Sequence, residues 1–124
     1  MPVISETNNL GDLLKYEADL FYSRDEVVVA SGQSLALGAV VGIKGSDGKV
    51  RALAPTATDG TEVAAGVLLF PVAATGGDTK GVIVARHAIV ADNALVWPAA
   101  ITAPQKSAAI SQLKGLGIII RLGV

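Results

Sequence analysis

His87 is the only histidine in the 124 residues, and no cysteine accompanies it. General-base or metal chemistry at His87 would need a convergent carboxylate or a second histidine, and its neighbours Ala85, Arg86 and Ala88 supply neither. A surface or interface histidine with an ordinary hydrogen bond is the reading its surroundings support. The run Gly76-Gly77-Asp78-Thr79-Lys80-Gly81 has the composition of a phosphate loop, but the glycine spacing and the Gly-Lys-Ser/Thr ending are wrong, so it reads as a plain loop. No Gly-x-Ser-x-Gly elbow, His-Glu-x-x-His pair or Asp-rich calcium loop occurs. Asp25, Glu26, Asp59, Glu62 and Asp78 are scattered through turns, where solvation accounts for them. The residues propose no catalytic group, no metal site and no cofactor.

Composition points instead to association. Half of the chain is hydrophobic, mostly Ala, Val, Leu and Ile, with Tyr16, Phe21, Tyr22, Phe70 and Trp97 as the aromatics. Charged residues make up 17%, below the roughly 25% of an average soluble domain. A domain this small with so little charge leaves apolar patches at its surface, and such patches mark subunit or partner interfaces. The net charge of −1 and the dispersed Lys and Arg residues give no footprint for a phosphate backbone. Nucleic acid is therefore not an expected partner. Lys44, Lys80 and Arg86 interrupt the longest apolar runs before they reach membrane-spanning length, and Glu6 and Asp12 stand where a secretory signal would be basic and then apolar. A protein in solution, with no membrane partner, is expected.

The chain has the length of a single domain, and strand signals dominate it. Residues 27–30, 39–43 and 49–53 are apolar and rich in β-branched side chains, with glycine-bearing turns between them. Asp47-Gly48 predicts a hairpin with a type I′ turn, since glycine reaches positive φ without steric cost. Residues 63–70 form a continuous apolar run that suits a strand buried on both faces, ended by Pro71. Residues 73–77 read as a flexible, solvent-facing stretch. Residues 79–90 predict the longest strand, whose alternation puts either Arg86 or His87 among apolar neighbours.

After the turn at Asp92-Asn93, Trp97 is either a core residue or an interface anchor, and Trp97 with Pro98 is the candidate subunit contact. Thr102-x-x-Gln105 has capping-box form with Pro104 in the first turn. It predicts a helix to residue 113 or 114, with Ile110 and Leu113 inward and Gly115 and Gly117 as the stop. Residues 118–122 predict a last strand.

Residues 1–19 differ from the rest and read as an N-terminal arm preceding a β-rich domain over residues 20–124. The arm's sizeable apolar groups are Val3, Ile4, Leu10, Leu13, Leu14 and Tyr16. Leu10, Leu13 and Leu14 would share one face of a short helix begun by Asn9. The entropy of ordering such a segment outweighs what burial of six apolar side chains returns over most of the range. Two readings stay open: Leu13 and Leu14 dock the arm on its own body, or the arm orders on a partner by adding a strand.

The order and spacing of the motifs carry a resemblance. They comprise the run from Asp25 through Val29-Ala30-Ser31-Gly32-Gln33 to Gly42, then Ala57-Thr58-Asp59-Gly60-Thr61-Glu62 leading to Gly66-Val67-Leu68. Next come Gly77-Asp78-Thr79-Lys80-Gly81 and Ala94-Leu95-Val96-Trp97-Pro98. Together they resemble the lambda-type head decoration proteins of tailed bacteriophages across residues 22–121, and Leu10-Gly11-Asp12-Leu13-Leu14-Lys15-Tyr16-Glu17 is similar to the leader of longer members. The resemblance implies a small β-rich fold with little regular helix, the barrel-like β-tulip; with the helix read above, the expected fold is mainly β with one C-terminal helix and an extended N-terminal arm. It implies a homotrimeric structural virion protein on the outer surface of the capsid, made in the host cytoplasm. Such trimers cement the expanded head at three-fold and quasi-three-fold sites against DNA pressure, the arm adding to a strand of the major capsid protein. The runner-up is a small β-barrel that binds carbohydrate, for which the aromatic content is low.

Overall fold

Short β-branched runs broken by glycine turns fold into short strands, and ten of them are present in a computed structural model that describes residues 10–17 and 20–121. The described chain opens with a single helical turn α1 (Leu10–Leu13), strand β1 (Leu14–Glu17) and a second turn α2 (Leu20–Ser23). Then come β2 (Arg24–Val29), β3 (Ser34–Leu35), β4 (Val40–Ile43), β5 (Val50–Ala52), β6 (Gly66–Leu68), β7 (Val72–Ala73), β8 (Thr79–Val84) and β9 (Ala88–Ala91). A 3-10 turn (Asp92–Ala94), the helix α3 (Ala103–Gly115) and β10 (Ile118–Arg121) complete it. Among the described residues no helix is long and apolar enough to cross a membrane.

Strands β2, β5, β4, β6 and β8 close into a small barrel, as the mainly β reading requires. Alternation along each strand divides the side chains between two cores. Val29, Val41, Val50, Leu68 and Ile83 pack together inside the barrel. Their sequence neighbours Val40, Val67 and Val84 point outward into a second core with Val90, Leu113 and Ile118. Continuous apolar runs are thus buried on both faces, and β6 has no exposed residue. It is shorter than the predicted 63–70, whose end residues Val63 and Phe70 are exposed.

The second core is covered by α3 and by a sheet in the order β1-β9-β10, with β1 antiparallel and β10 parallel to β9. The predicted capping box holds α3: Thr102 Oγ1 accepts the Gln105 N–H at 3.3 Å and Gln105 Oε1 accepts the Thr102 N–H at 2.9 Å. Ala109 and Leu113 are its buried residues while Ile110 is half-buried, and Gly117, at φ +82°, turns the chain into β10.

Three local expectations change in the folded chain. The β4–β5 hairpin forms with Ile43 opposite Val50, but a type I′ turn needs positive φ at two successive residues and Asp47 does not have it. Only Gly48 is left-handed, at φ +69°, and its N–H closes a longer turn on the Lys44 carbonyl at 2.8 Å. The predicted strand over 79–90 is two strands, β8 and β9, broken at residues 85–87, with His87 at φ +53°. Burying an unpaired cation is costly, and the break removes the conflict by turning Arg86 and His87 outward. The stretch 73–77 is not solvent-facing throughout: Ala74 is fully buried and exchanges hydrogen bonds with Gly32 and Gln33. The β3–β7 pairing beside it has two residues per strand, too few for a sequence period to reveal.

Candidate interaction surfaces

Residues 1–9, with Val3 and Ile4, lie outside the described residues. Of the other predicted arm residues, Leu13 is fully buried in the second core and Leu10 and Leu14 pack against that core. Leu14 pairs with Val90 through β1. Leu10, Leu13 and Leu14 are thus packed on the body. Tyr16 differs from them, being 56% exposed.

Register explains where Tyr16 lies. Tyr16 and Ile119 both pair with Ile89, so the three side chains form a row across the outer face of the β1-β9-β10 sheet. Neighbouring rows, Leu14-Val90-Ile120 and Glu17-Ala88-Ile118, place Val90, Ala88 and Ile118 in the core instead. The Tyr16-Ile89-Ile119 row, together with His87 and Gly117, lines an open cavity of about 240 Å³. Tyr22 flanks His87 with ring centroids 5.1 Å apart. An apolar face with an aromatic rim of this kind is suited to burial against another protein.

A second apolar concavity of about 190 Å³ is lined by Leu35, Ala39, Val96, Trp97 and Pro98 among others. The segment that carries Trp97 is tied to β4 by the Val40 N–H on the Val96 carbonyl at 3.1 Å and the Val96 N–H on the Gly38 carbonyl at 2.9 Å. Trp97 is half-buried against the second core, with the Lys106 ammonium 5.3 Å from its ring centroid. Its Nε1–H is buried without an acceptor among the described residues. Val96 beside it is exposed.

The acidic residues do more than meet solvent, which corrects the sequence reading. Asp78 accepts the Ser31 N–H at 2.8 Å and pairs with Lys49 at 2.6 Å, while Asp47 pairs with Arg51 at 2.8 Å. Asp59 accepts both the N–H and the hydroxyl of Thr61, and Asp25 pairs with Arg86. The Arg51 guanidinium and the Lys49 N–H hold the Asp47 carboxyl well below the usual carboxylate range. Lys49 and the Ser31 N–H lower that of Asp78, and the two Thr61 donors lower that of Asp59. Asp78 and Asp25 reach Ser31 and Arg86, 47 and 61 residues away, which spacing in the sequence gives little sign of, whereas Asp47 and Asp59 bond within their own turns. Among the described residues no three His, Asp or Glu side chains are grouped as a metal ion would require.

Among curated proteins nothing matches the chain. The family model described as bacteriophage lambda head decoration protein D does match it, over residues 3–118. That span covers β1, the barrel, β9 and α3 and ends at the first residue of β10, and by it the chain belongs to the bacteriophage lambda head decoration protein D family.

Proposed function

We propose that this structural protein of the phage head is a homotrimeric cement protein. In this reading it sits on the outer surface of the expanded shell at three-fold and quasi-three-fold sites. It bridges copies of the major capsid protein and holds them against the pressure of the packaged DNA. Family membership over residues 3–118 is the observation that carries the reading. The exposed row Tyr16-Ile89-Ile119 supports a protein-facing surface, and the concavity at Trp97 and Pro98 supports a subunit contact.

The arm proper is proposed as residues 1–9, since Leu10, Leu13 and Leu14 are engaged in the body. Val3 and Ile4 are its apolar residues, and an extended segment that adds to a capsid strand gains backbone hydrogen bonds as well as their burial. Tyr16 contributes to the same contact from the body. Three arms on one trimer bind at high effective concentration once the first has engaged, so the sum exceeds one arm's affinity by orders of magnitude. Shell strength follows from bridging subunits that would otherwise slide apart.

The test combines solution mass with head binding, using the full chain and a chain lacking residues 1–9. The reading expects each to scatter light as three times its own chain mass, 12.5 kDa for the full chain, and only the full chain to co-sediment with expanded heads. A shortened trimer that still decorated heads would defeat it.

A further inference from the structure

We propose that Asp47-Gly48 is a latent site of aspartate isomerisation, kept closed in the folded protein by the Arg51 side chain. The chain contains two Asp-Gly dipeptides, Asp47-Gly48 and Asp59-Gly60. Glycine has no side chain to shield its own nitrogen from the aspartate that precedes it, so both are open to the same reaction once the backbone is free.

That reaction is a condensation. The Gly48 nitrogen bonds to Asp47 Cγ, and the amide proton leaves with the carboxyl hydroxyl as water, which gives a five-membered imide. Water then adds to either imide carbonyl and one C–N bond breaks. Opening at the backbone carbonyl leaves the chain running through the former side chain, as isoaspartate, with no net change in mass. The carboxyl must therefore be protonated, and the glycine nitrogen must leave its hydrogen bond.

The fold opposes both requirements at Asp47. The Gly48 N–H donates to the Lys44 carbonyl at 2.8 Å. Asp47 Oδ1 accepts the Lys49 N–H at 2.9 Å, and the Arg51 guanidinium spans both carboxylate oxygens, Nη1 to Oδ1 at 3.1 Å and Nη2 to Oδ2 at 2.8 Å. These donors and the nearby Lys44 charge keep the carboxyl ionised. Of them, Arg51 is the one that bonds the carboxylate through its side chain, so substitution can remove it alone.

Asp59-Gly60 is closed more thoroughly. The Gly60 N–H bonds Glu62 Oε1 at 2.7 Å, and Asp59 Oδ1 accepts both the N–H and the hydroxyl of Thr61. The Asp59 carbonyl accepts the Gly45 N–H at 2.8 Å, and a Cβ at Gly60 would lie 2.6 Å from the Ile43 carbonyl oxygen. Backbone packed that closely cannot swing into an imide. At the β4–β5 connection, by contrast, Asp47 and Gly48 are both exposed and a Cβ at Gly48 meets nothing within 4 Å. Loss of Arg51 therefore opens the first site and leaves the second shut. The inference does not depend on trimer formation or on how the protein binds the head.

The test incubates the full chain at pH 5 and follows both dipeptides with an endoproteinase that cuts before aspartate and not before isoaspartate. Each pH unit by which a carboxyl is held down cuts its protonated fraction about tenfold. Asp47 should therefore convert at least tenfold more slowly in the folded chain than in the same chain unfolded in urea. Arg51→Met should restore at least tenfold of the rate at Asp47, while Asp59 and the hydrogen exchange of the Gly48 amide stay unchanged. Equal conversion of Asp47 in the folded and urea-unfolded chains overturns the proposal, and that comparison needs no variant. Equal conversion of Asp47 in the intact and Arg51→Met proteins also overturns it. So does an Arg51→Met protein in which Asp59 or the Gly48 amide speeds up alike, since the turn would then be opening as a whole.

Discussion

The Arg86 guanidinium holds the Asp25 carboxylate by two parallel hydrogen bonds, Nη1 to Oδ1 at 3.0 Å and Nη2 to Oδ2 at 2.7 Å. The same guanidinium donates to the Tyr22 carbonyl and lies 5.7 Å from the Tyr22 ring centroid. These contacts fix the corner between β8 and β9 against the start of β2. A double-mutant cycle of Arg86→Met and Asp25→Asn should give a coupling of about 0.5–1 kcal/mol, modest because both side chains are partly exposed. Each single change should lower the melting temperature by about 2–5 °C, and additive effects would remove the pair from the account of this corner.

Gly38 and Gly48 both have positive φ, at +90° and +69°, but only Gly38 is crowded. A Cβ at Gly38 would overlap the Ala94 carbonyl oxygen, which belongs to the segment leading to Trp97, whereas one at Gly48 meets nothing within 4 Å. Gly48→Ala should therefore cost about 1 kcal/mol of backbone strain. Gly38→Ala should cost several times that, or prevent folding. Equal urea midpoints for the two variants would contradict the close approach.

Leu13 is a test of where the body begins. Leu13→Ala should destabilise the protein by about 3 kcal/mol, as for other fully buried leucines. By the same reasoning, removing residues 1–19 strips β1 from β9 and should lower the melting temperature sharply, while removing residues 1–9 leaves it within a few degrees. Equal melting of the two truncations would return residues 10–17 to the arm.

Acid should destabilise the fold through the three carboxylates held low, Asp47, Asp59 and Asp78. Each has a folded-state pKa below its ordinary value of 3.8, so its contribution is present above that pH and is lost as pH falls through the folded value. Melting temperature should stay flat from pH 7 to about 5 and drop below about 4. Asp78→Asn, which removes the partner of Lys49 and of the Ser31 N–H, should shallow that drop. An unaltered acid limb would assign the loss to other groups.

Ile119→Asp probes the outer sheet face. Ile119 is 42% exposed, so the fold should tolerate the change with a loss of about 1 kcal/mol or less. Co-sedimentation with expanded heads should fall by at least tenfold, since a charge in a buried apolar contact is costly. Undiminished binding would take this face out of the shell contact.

Local chemistry in the sequence determined the β-rich class, the α3 capping box, the glycine stop at Gly117, the buried-both-faces character of β6 and the family resemblance. These depend on residues within a few positions of one another, or on their collinear order. What only the tertiary structure decided is how distant segments share a face. Closure of five strands into a barrel sorted Val40 from Val41 and Val67 from Leu68 into two cores, and pairing with β9 drew Leu10, Leu13 and Leu14 into the body. The interaction surface was legible only in part, because Tyr16, Ile89 and Ile119 become one row through strand register, and register is a property of pairing that no single segment contains.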